Sequence, residues 1–162
     1  MKRYLALLMS VVLVVLDQVF KLLASAYLKP VDTYPLIEDV LHLTYLENRG
    51  AAFGIMEGQK WLLIWGTGLI LLIMILAVMI GKIPGTLPNV IVCVIIGGGV
   101  GNLIDRVYRG YVIDYIQVRF VDFAIFNFAD ICVVVGVAAL VLYIFLHELS
   151  ARKKEGKEQK VG

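Results

Sequence analysis

Four runs of apolar residues divide the chain, at 4–28, 61–80, 87–104 and about 123–146. A helix rises 1.5 Å per residue and needs about 20 mostly apolar residues to cross the hydrocarbon of a bilayer. Each run therefore predicts a transmembrane helix. The second and third are joined by "GKIPGTLP" (Gly81–Pro88), whose glycines and prolines mark a tight turn. Longer polar connections, Lys29–Lys60 and Asp105–Asp122, join the other pairs. Within the first of these, "LHLTYLEN" (Leu41–Asn48) alternates apolar and polar positions, the pattern of a strand. Tyr34–Ile37 is a candidate partner strand. The fold class is thus an all-α membrane protein with four transmembrane helices and a small β element.

Composition agrees. Of 162 residues, 60% are hydrophobic and 17% charged. An ordinary soluble domain is about 45–50% apolar and about 25% charged. The length suits one domain, read as a four-helix membrane domain over 1–150 followed by a basic tail over 151–162. The net charge of +2 names no partner, and nothing in the chain suggests nucleic acid. Cys93 and Cys132 lie in apolar runs and read as small hydrophobes. With His42 and His147 far apart, no metal-ligand spacing emerges. Met1-Lys2-Arg3 before an apolar run, with "ASA" at Ala24–Ala26, resembles a cleavable signal peptide. Asp17 and Lys21 interrupt that run, which favours an uncleaved first membrane helix.

Charge orients the bundle. Four crossings put both termini on one side, together with the short loop. That side carries Lys2, Arg3, Lys82, Arg152, Lys153, Lys154, Lys157 and Lys160, eight of fifteen basic residues. The positive-inside rule makes it cytoplasmic. The β element is then extracytoplasmic, and the tail "RKKEGKEQK" is a solvated charge run suited to anionic lipid.

Direction converts sequence position into depth. Asp17 lies roughly 20 Å up the first helix and Lys21 one turn further, on the same face. Asn102 and Asp105 fall at the outer end of the third run. Asn127 and Asp130 fall in the first turns of the fourth. Apart from Asn89 at the cytoplasmic end, the ionisable and amide residues inside the runs converge on one depth. An Asp at a helix centre costs roughly 2.5–3.5 kcal/mol on insertion scales, so such residues suggest function. Structural readings stand beside that one. Asp17 and Lys21 can form a supporting ion pair. Asp105 can pair with Arg106, and Asn127 can cap or bridge helices. Gly97, Gly98, Gly99 and Gly101 read first as a close-packing surface. "GGGVGN" in a membrane run lacks the βαβ setting of a nucleotide loop.

Asp130 has no basic residue one turn away, so a lone carboxylate in low dielectric needs a partner from elsewhere. Asp114 in "GYVIDYI", on the short apolar stretch of the outer loop, is the best candidate, although spacing alone does not fix the pairing. Two carboxylates brought together share a proton. One can activate water while the other polarises a carbonyl. A small ion-coupled transporter could also use buried Asp, Lys and Asn, but its polar residues would be spread through the membrane depth. A purely structural bundle would tolerate Asp→Asn exchange.

Five ordered motifs add to this reading: "DQVFK" (Asp17–Lys21), "NRGAAFG" (Asn48–Gly54), "GGGVGNLIDR" (Gly97–Arg106), "VIDY" (Val112–Tyr115) and "FNFAD" (Phe126–Asp130). In this order they closely resemble the bacterial lipoprotein signal peptidases, or signal peptidase II. The resemblance implies an aspartic endopeptidase of the bacterial inner membrane, with its site near the extracytoplasmic face. It would remove signal peptides from prolipoproteins, cutting before a cysteine that already carries diacylglyceryl. It implies Asp114 and Asp130 as the catalytic pair. Asn48, Gly50, Asn102, Asp105, Arg106, Asn127 and Ala129 would line or support the site, with Asn127 and Arg106 orienting the carboxylates. Asp17 and Lys21 would give structural support. It further implies no metal or cofactor, globomycin-type inhibitors, and a lid or cradle in Lys29–Lys60 around Gly50, Phe53 and Gly54. One departure is Tyr115, where the family usually has Phe.

Overall fold

The computed structural model describes residues 2–50 and 58–158. Seven elements follow in order: α1 (Lys2–Tyr27), β1 (Thr33–Ile37), β2 (Leu41–Asn48), α2 (Lys60–Ile80), α3 (Thr86–Tyr108), β3 (Val112–Val118) and α4 (Phe128–Glu158). All four helices are long and apolar enough to cross a membrane. Their outward faces carry large apolar side chains such as Trp65, Ile73, Val134 and Phe145, as a lipid solvent requires. Phe53 and Gly54, expected in a lid, lie outside the described residues.

Helix α3 is the hub. Successive glycines on it meet three different helices: Gly97 faces Leu13 of α1, Gly98 faces Ala129 and Cys132 of α4, and Gly99 faces Leu71 of α2. A Cβ on Gly98 would run into the Ala129 carbonyl oxygen and stand 3.0 Å from Cys132 Cβ. A Cβ on Gly101 would strike the Asp17 carboxylate. The glycine cluster is thus the close-packing surface expected of small residues between membrane helices.

Two apolar layers enclose a polar one. Towards the chain ends, Ala6, Val78, Val92, Cys93 and Ile96 form a buried cluster. Towards the sheet, Ala24 and Leu28 of α1 pack under Ile113 and Tyr115 of β3. Asp17, Lys21, Asn102 and Asp105 lie between these layers along α1 and α3 and are buried.

The sheet has the order β1-β2-β3, antiparallel throughout. Strands β1 and β2 are the expected pair, with Tyr34 opposite Leu43. Strand β3 is new relative to the sequence reading, which took this stretch as part of an outer loop. Its residues from Val112 to Tyr115 are buried on both faces, so the polar–apolar alternation that marks a half-exposed strand is missing. In register, Asp114 stands opposite Leu46, and Asn48 opposite Val112.

Helix α4 begins at Phe128 rather than near Phe123. Phe126 is held extended by an antiparallel bridge to Ile116, so the apolar run starts before its helix can. The helix continues past Leu146 to Glu158, since polar residues outside the hydrocarbon do not end a helix. Helix α2 closes on Gly81, at φ 81°, with the Arg3 guanidinium lying against it.

Gly98→Ala should destabilise the bundle by about 1–3 kcal/mol through overpacking. Gly66→Ala, where a Cβ meets nothing within 4 Å, should be neutral or stabilising. Thermal unfolding in detergent checks both. Equal melting of the two variants would contradict the hub role of α3.

Candidate active site

Lys21 organises the polar layer. Its Nζ lies 2.9 Å from Asp17 Oδ2 and 3.0 Å from Asp105 Oδ2, and donates to Asn102 Oδ1 at 2.8 Å. An ammonium has three donors, and all three are used. Lys21, Asp17 and Asp105 are each 0% exposed. A second cation, Arg109, pairs with Asp105 from one turn along α3 and donates to Gln18 Oε1 at 3.1 Å. Two carboxylates and two cations therefore balance in the cluster. Balance matters because an unpaired ion in low dielectric costs several kcal/mol. Gln18 Nε2 reaches Asp17, Asp105 and the Gly101 carbonyl, each at 3.2 Å. Asp105 thus pairs with Lys21 and Arg109, instead of the neighbouring Arg106.

The cluster reaches into the neighbouring elements. Ala129 N–H donates to Asp17 Oδ1 at 3.2 Å, fixing the first turn of α4. Ile113 N–H donates to Asp105 Oδ2 at 3.2 Å, fixing β3. Asn102 accepts from Lys21 and donates through Nδ2 to Asp130 Oδ1 at 2.7 Å.

Asn127 joins the two candidate carboxylates. Its main-chain N–H donates to Asp130 Oδ2 at 3.0 Å, and its Oδ1 accepts from Asp130 N–H at 2.9 Å. With Asn127 at the N-cap and Asp130 three residues on, these reciprocal bonds form a capping box. Its Nδ2 donates to Asp114 Oδ1 at 2.6 Å, with longer bonds to Asn102 Oδ1 at 3.2 Å and the Ile113 carbonyl at 3.3 Å. Asp114 takes a second bond, from Asn48 Nδ2 at 2.9 Å. Gly50 N–H donates to Asn48 Oδ1 at 3.0 Å. Arg106 donates to the Gly50 and Asn102 carbonyl oxygens, so its hydrogen bonds tie chain segments together instead of reaching the carboxylates as expected. Asp17, Lys21, Asn48, Gly50, Asn102, Asp105, Arg106, Asp114, Asn127, Ala129 and Asp130 are thus joined in one hydrogen-bonded cluster.

The carboxylates differ in surroundings. Asp114 is 1% exposed, and Asp130 is half-buried. Burial pushes the Asp114 carboxyl up to about 7, with the Asp130 charge adding to the rise and the Asn48 and Asn127 hydrogen bonds opposing it. Such a pair can carry one proton near neutral pH, which suits it to acid–base work on a carbonyl. The Tyr115 hydroxyl, also shifted up by burial, accepts the Phe128 N–H at 3.2 Å. That N–H is in the first turn of α4 and has no intrahelical acceptor. Gln18, Arg109 and the Tyr115 hydroxyl were missed in the sequence. Gln18 adjoins Asp17, and Arg109 follows Asp105 by four residues; both signals were present.

Comparison with known proteins gives a consistent picture. The family described as signal peptidase (SPase) II matches residues 9–146. A lipoprotein signal peptidase of Halothermothrix orenii is 43% identical over 138 residues, covering 85% of this chain and 92% of the relative. One of Clostridioides difficile is 38% identical over 155 residues, covering 90% and 98%. A solved structure described as a bacterial membrane enzyme superposes with a TM-score of 0.80 at 30% identity, covering 86% of this chain and 87% of that one.

Lys21→Met should cost on the order of 3–5 kcal/mol, because it leaves Asp17 and Asp105 buried without their shared cation. Adding Asp17→Asn should recover part of the loss. Chemical unfolding of both variants in mild detergent measures the effect, and an unchanged midpoint for Lys21→Met would contradict it.

Proposed function

The chain belongs to the signal peptidase II family of membrane aspartic peptidases, and on that premise we propose that Asp114 and Asp130 are its catalytic pair. The substrates are prolipoproteins whose cysteine already carries diacylglyceryl, and the cut falls just before that cysteine. The observation that carries the assignment is Asn127, which hydrogen-bonds one carboxylate through its side chain and the other through its main chain.

The dyad shares one proton. Asp114, the more buried, holds it. Asp130, the more open, takes a proton from water as the water oxygen attacks the scissile carbonyl carbon. Asp114 gives its proton to the carbonyl oxygen, forming a neutral tetrahedral gem-diol. As the C–N bond breaks, the proton on Asp130 passes to the leaving nitrogen, and one hydroxyl proton returns to Asp114. Asn102, Asn127 and Asn48 hold the carboxylates in position, so little reorganisation accompanies the charge shift. Asp17, Lys21, Asp105 and Ala129 set the positions of α4 and β3. Arg106, by donating to the Gly50 carbonyl oxygen, fastens the chain just past β2 to α3.

In this reading both termini and the α2–α3 turn face the cytoplasm, with the basic tail against the inner leaflet of the bacterial cytoplasmic membrane. The dyad then lies near the extracytoplasmic face, where a lipid anchor would hold the scissile bond. Globomycin-type inhibitors would occupy the same site.

Asp114→Asn and Asp130→Asn should each abolish cleavage of a diacylglyceryl-modified precursor in detergent with a chelator present, while the protein stays folded. Full cleavage by either variant would sink the dyad, and equal cleavage of an unmodified precursor would sink the substrate class. For the wild type, activity should fall as pH rises through about 7, where Asp114 loses its proton. Asn48→Leu removes a bond that favours the carboxylate, so it should move that limb to higher pH. The kcat/KM profile of both proteins is the measurement.

A further inference from the structure

Only three residues, Arg109 to Tyr111, join the end of α3 to the start of β3. The chain turns there at Gly110, with φ 85°. Asp105 spans this turn. Its carbonyl oxygen accepts the N–H groups of Arg109 and Gly110, at 2.8 and 3.2 Å. Its Oδ1 pairs with the Arg109 guanidinium on the near side of the turn. Its Oδ2 accepts Ile113 N–H at 3.2 Å on the far side. The next residue is Asp114.

The two carboxylate oxygens have different duties. Oδ2 serves both Lys21, at 3.0 Å, and Ile113. Oδ1 serves Arg109 and Gln18 Nε2. A single Arg109 nitrogen, Nη1, donates to Asp105 Oδ1 and to Gln18 Oε1. Without the guanidinium, Oδ1 keeps only a neutral amide donor. Lys21 then draws the carboxylate round towards a contact with both oxygens, at the expense of Ile113 N–H. The charge count changes as well. Asp17, Asp105 and Lys21 are fully buried, and two carboxylates with one ammonium sum to −1. Arg109, its side chain 25% exposed, is the charged member of this cluster that reaches solvent. An ion pair on an open surface is worth about 0–1 kcal/mol. This one ends on a fully buried carboxylate, where losing a cation costs more.

We propose that Arg109 is a positioning residue for Asp114, acting through Asp105 and Ile113 N–H. It holds the Asp105 carboxylate in the rotation that leaves Oδ2 for Ile113, and it keeps the buried cluster neutral beside the dyad. This role rests on the assignment of Asp114 to the catalytic pair. Asp114 faces Asn48 from β2 and Asn127 from α4, and it feels the charges of Asp130 from α4, Lys21 from α1 and Arg106 from α3. Taking a positive charge out of the cluster makes the Asp114 proton harder to lose.

Arg109→Gln and Arg109→Lys, with Asp114→Asn as control, test this on the diacylglyceryl-modified precursor in detergent. Arg109→Gln should lower kcat about tenfold, as a small misplacement of a reacting group does, with KM within about twofold of wild type. Its kcat/KM should fall at a higher pH than that of wild type, because the negative cluster keeps the proton on Asp114. Arg109→Lys keeps the charge on a shorter stem. Its pH limb should return to the wild-type position, and its kcat should lie between the other two. Wild-type kcat in Arg109→Gln, with only a lower melting temperature, would make Arg109 an ordinary stabilising ion pair and overturn the role. A loss confined to KM, or a pH limb that does not move, would overturn it too. If Arg109→Gln does not fold, the Lys variant decides. A kcat equal to wild type then overturns the role, and a reduced kcat at unchanged KM and pH limb supports it. Full cleavage by Asp114→Asn would remove the catalytic assignment beneath the role. Lost cleavage in that control, with wild-type kcat in Arg109→Gln, would remove the role of Arg109 alone.

Discussion

The contact on which the rest depends is the Lys21 ammonium with its three acceptors. Asp17 is on its own helix, and Asp105 and Asn102 are on α3. It is an electrostatic bond in a place without water to replace it. Asp17 in turn fixes the first turn of α4 through Ala129, and Asp105 fixes β3 through Ile113. Asp130 is on that turn, and Asp114 on that strand. The buried ion cluster thus determines where the two carboxylates meet, although neither of its acidic members touches them. The glycines of α3 serve the same end, since only a bare Cα at Gly101 leaves room for the Asp17 carboxylate.

The proposed dyad is also part of the secondary structure. Asp130 closes a capping box with Asn127, so the start of α4 and the position of a carboxylate are one geometric fact. Asn127 then spends its side-chain amide on Asp114. The proposed chemistry needs two acids in unequal surroundings, and the fold supplies that inequality. The strand carboxyl is sealed beneath the sheet, while the helix carboxylate is half open.

The helices were legible because a bilayer demands long apolar runs, and such runs survive any packing arrangement. The convergence of Asp17, Lys21, Asn102, Asp105, Asn127 and Asp130 was legible for a related reason. Depth follows from counting residues along a helix of known rise. The pairing of Asp114 with Asp130 was not, because β3 enters the core on both faces and shows no alternation; the ordered motifs named the partner instead. The start of α4 was misplaced by five residues for want of the bridge between Phe126 and Ile116, a contact with no local signature. Tyr115 looked like a mild aromatic exchange. Its hydroxyl proves to serve a free N–H of α4, which only the three-dimensional neighbourhood reveals.

The spacing of Asp17 and Lys21 bears on how the chain is made. Synthesis runs from the N-terminus, so α1 meets the bilayer before Asn102 and Asp105 have left the ribosome. A lone lysine in that helix would wait in hydrocarbon unbalanced. Four residues apart, the two neutralise one another within a single helix from the moment it forms. When α3 arrives, the lysine keeps its first partner and adds two more. The pair is a travelling counter-charge, complete enough to enter the membrane alone and incomplete enough to capture the helix that follows.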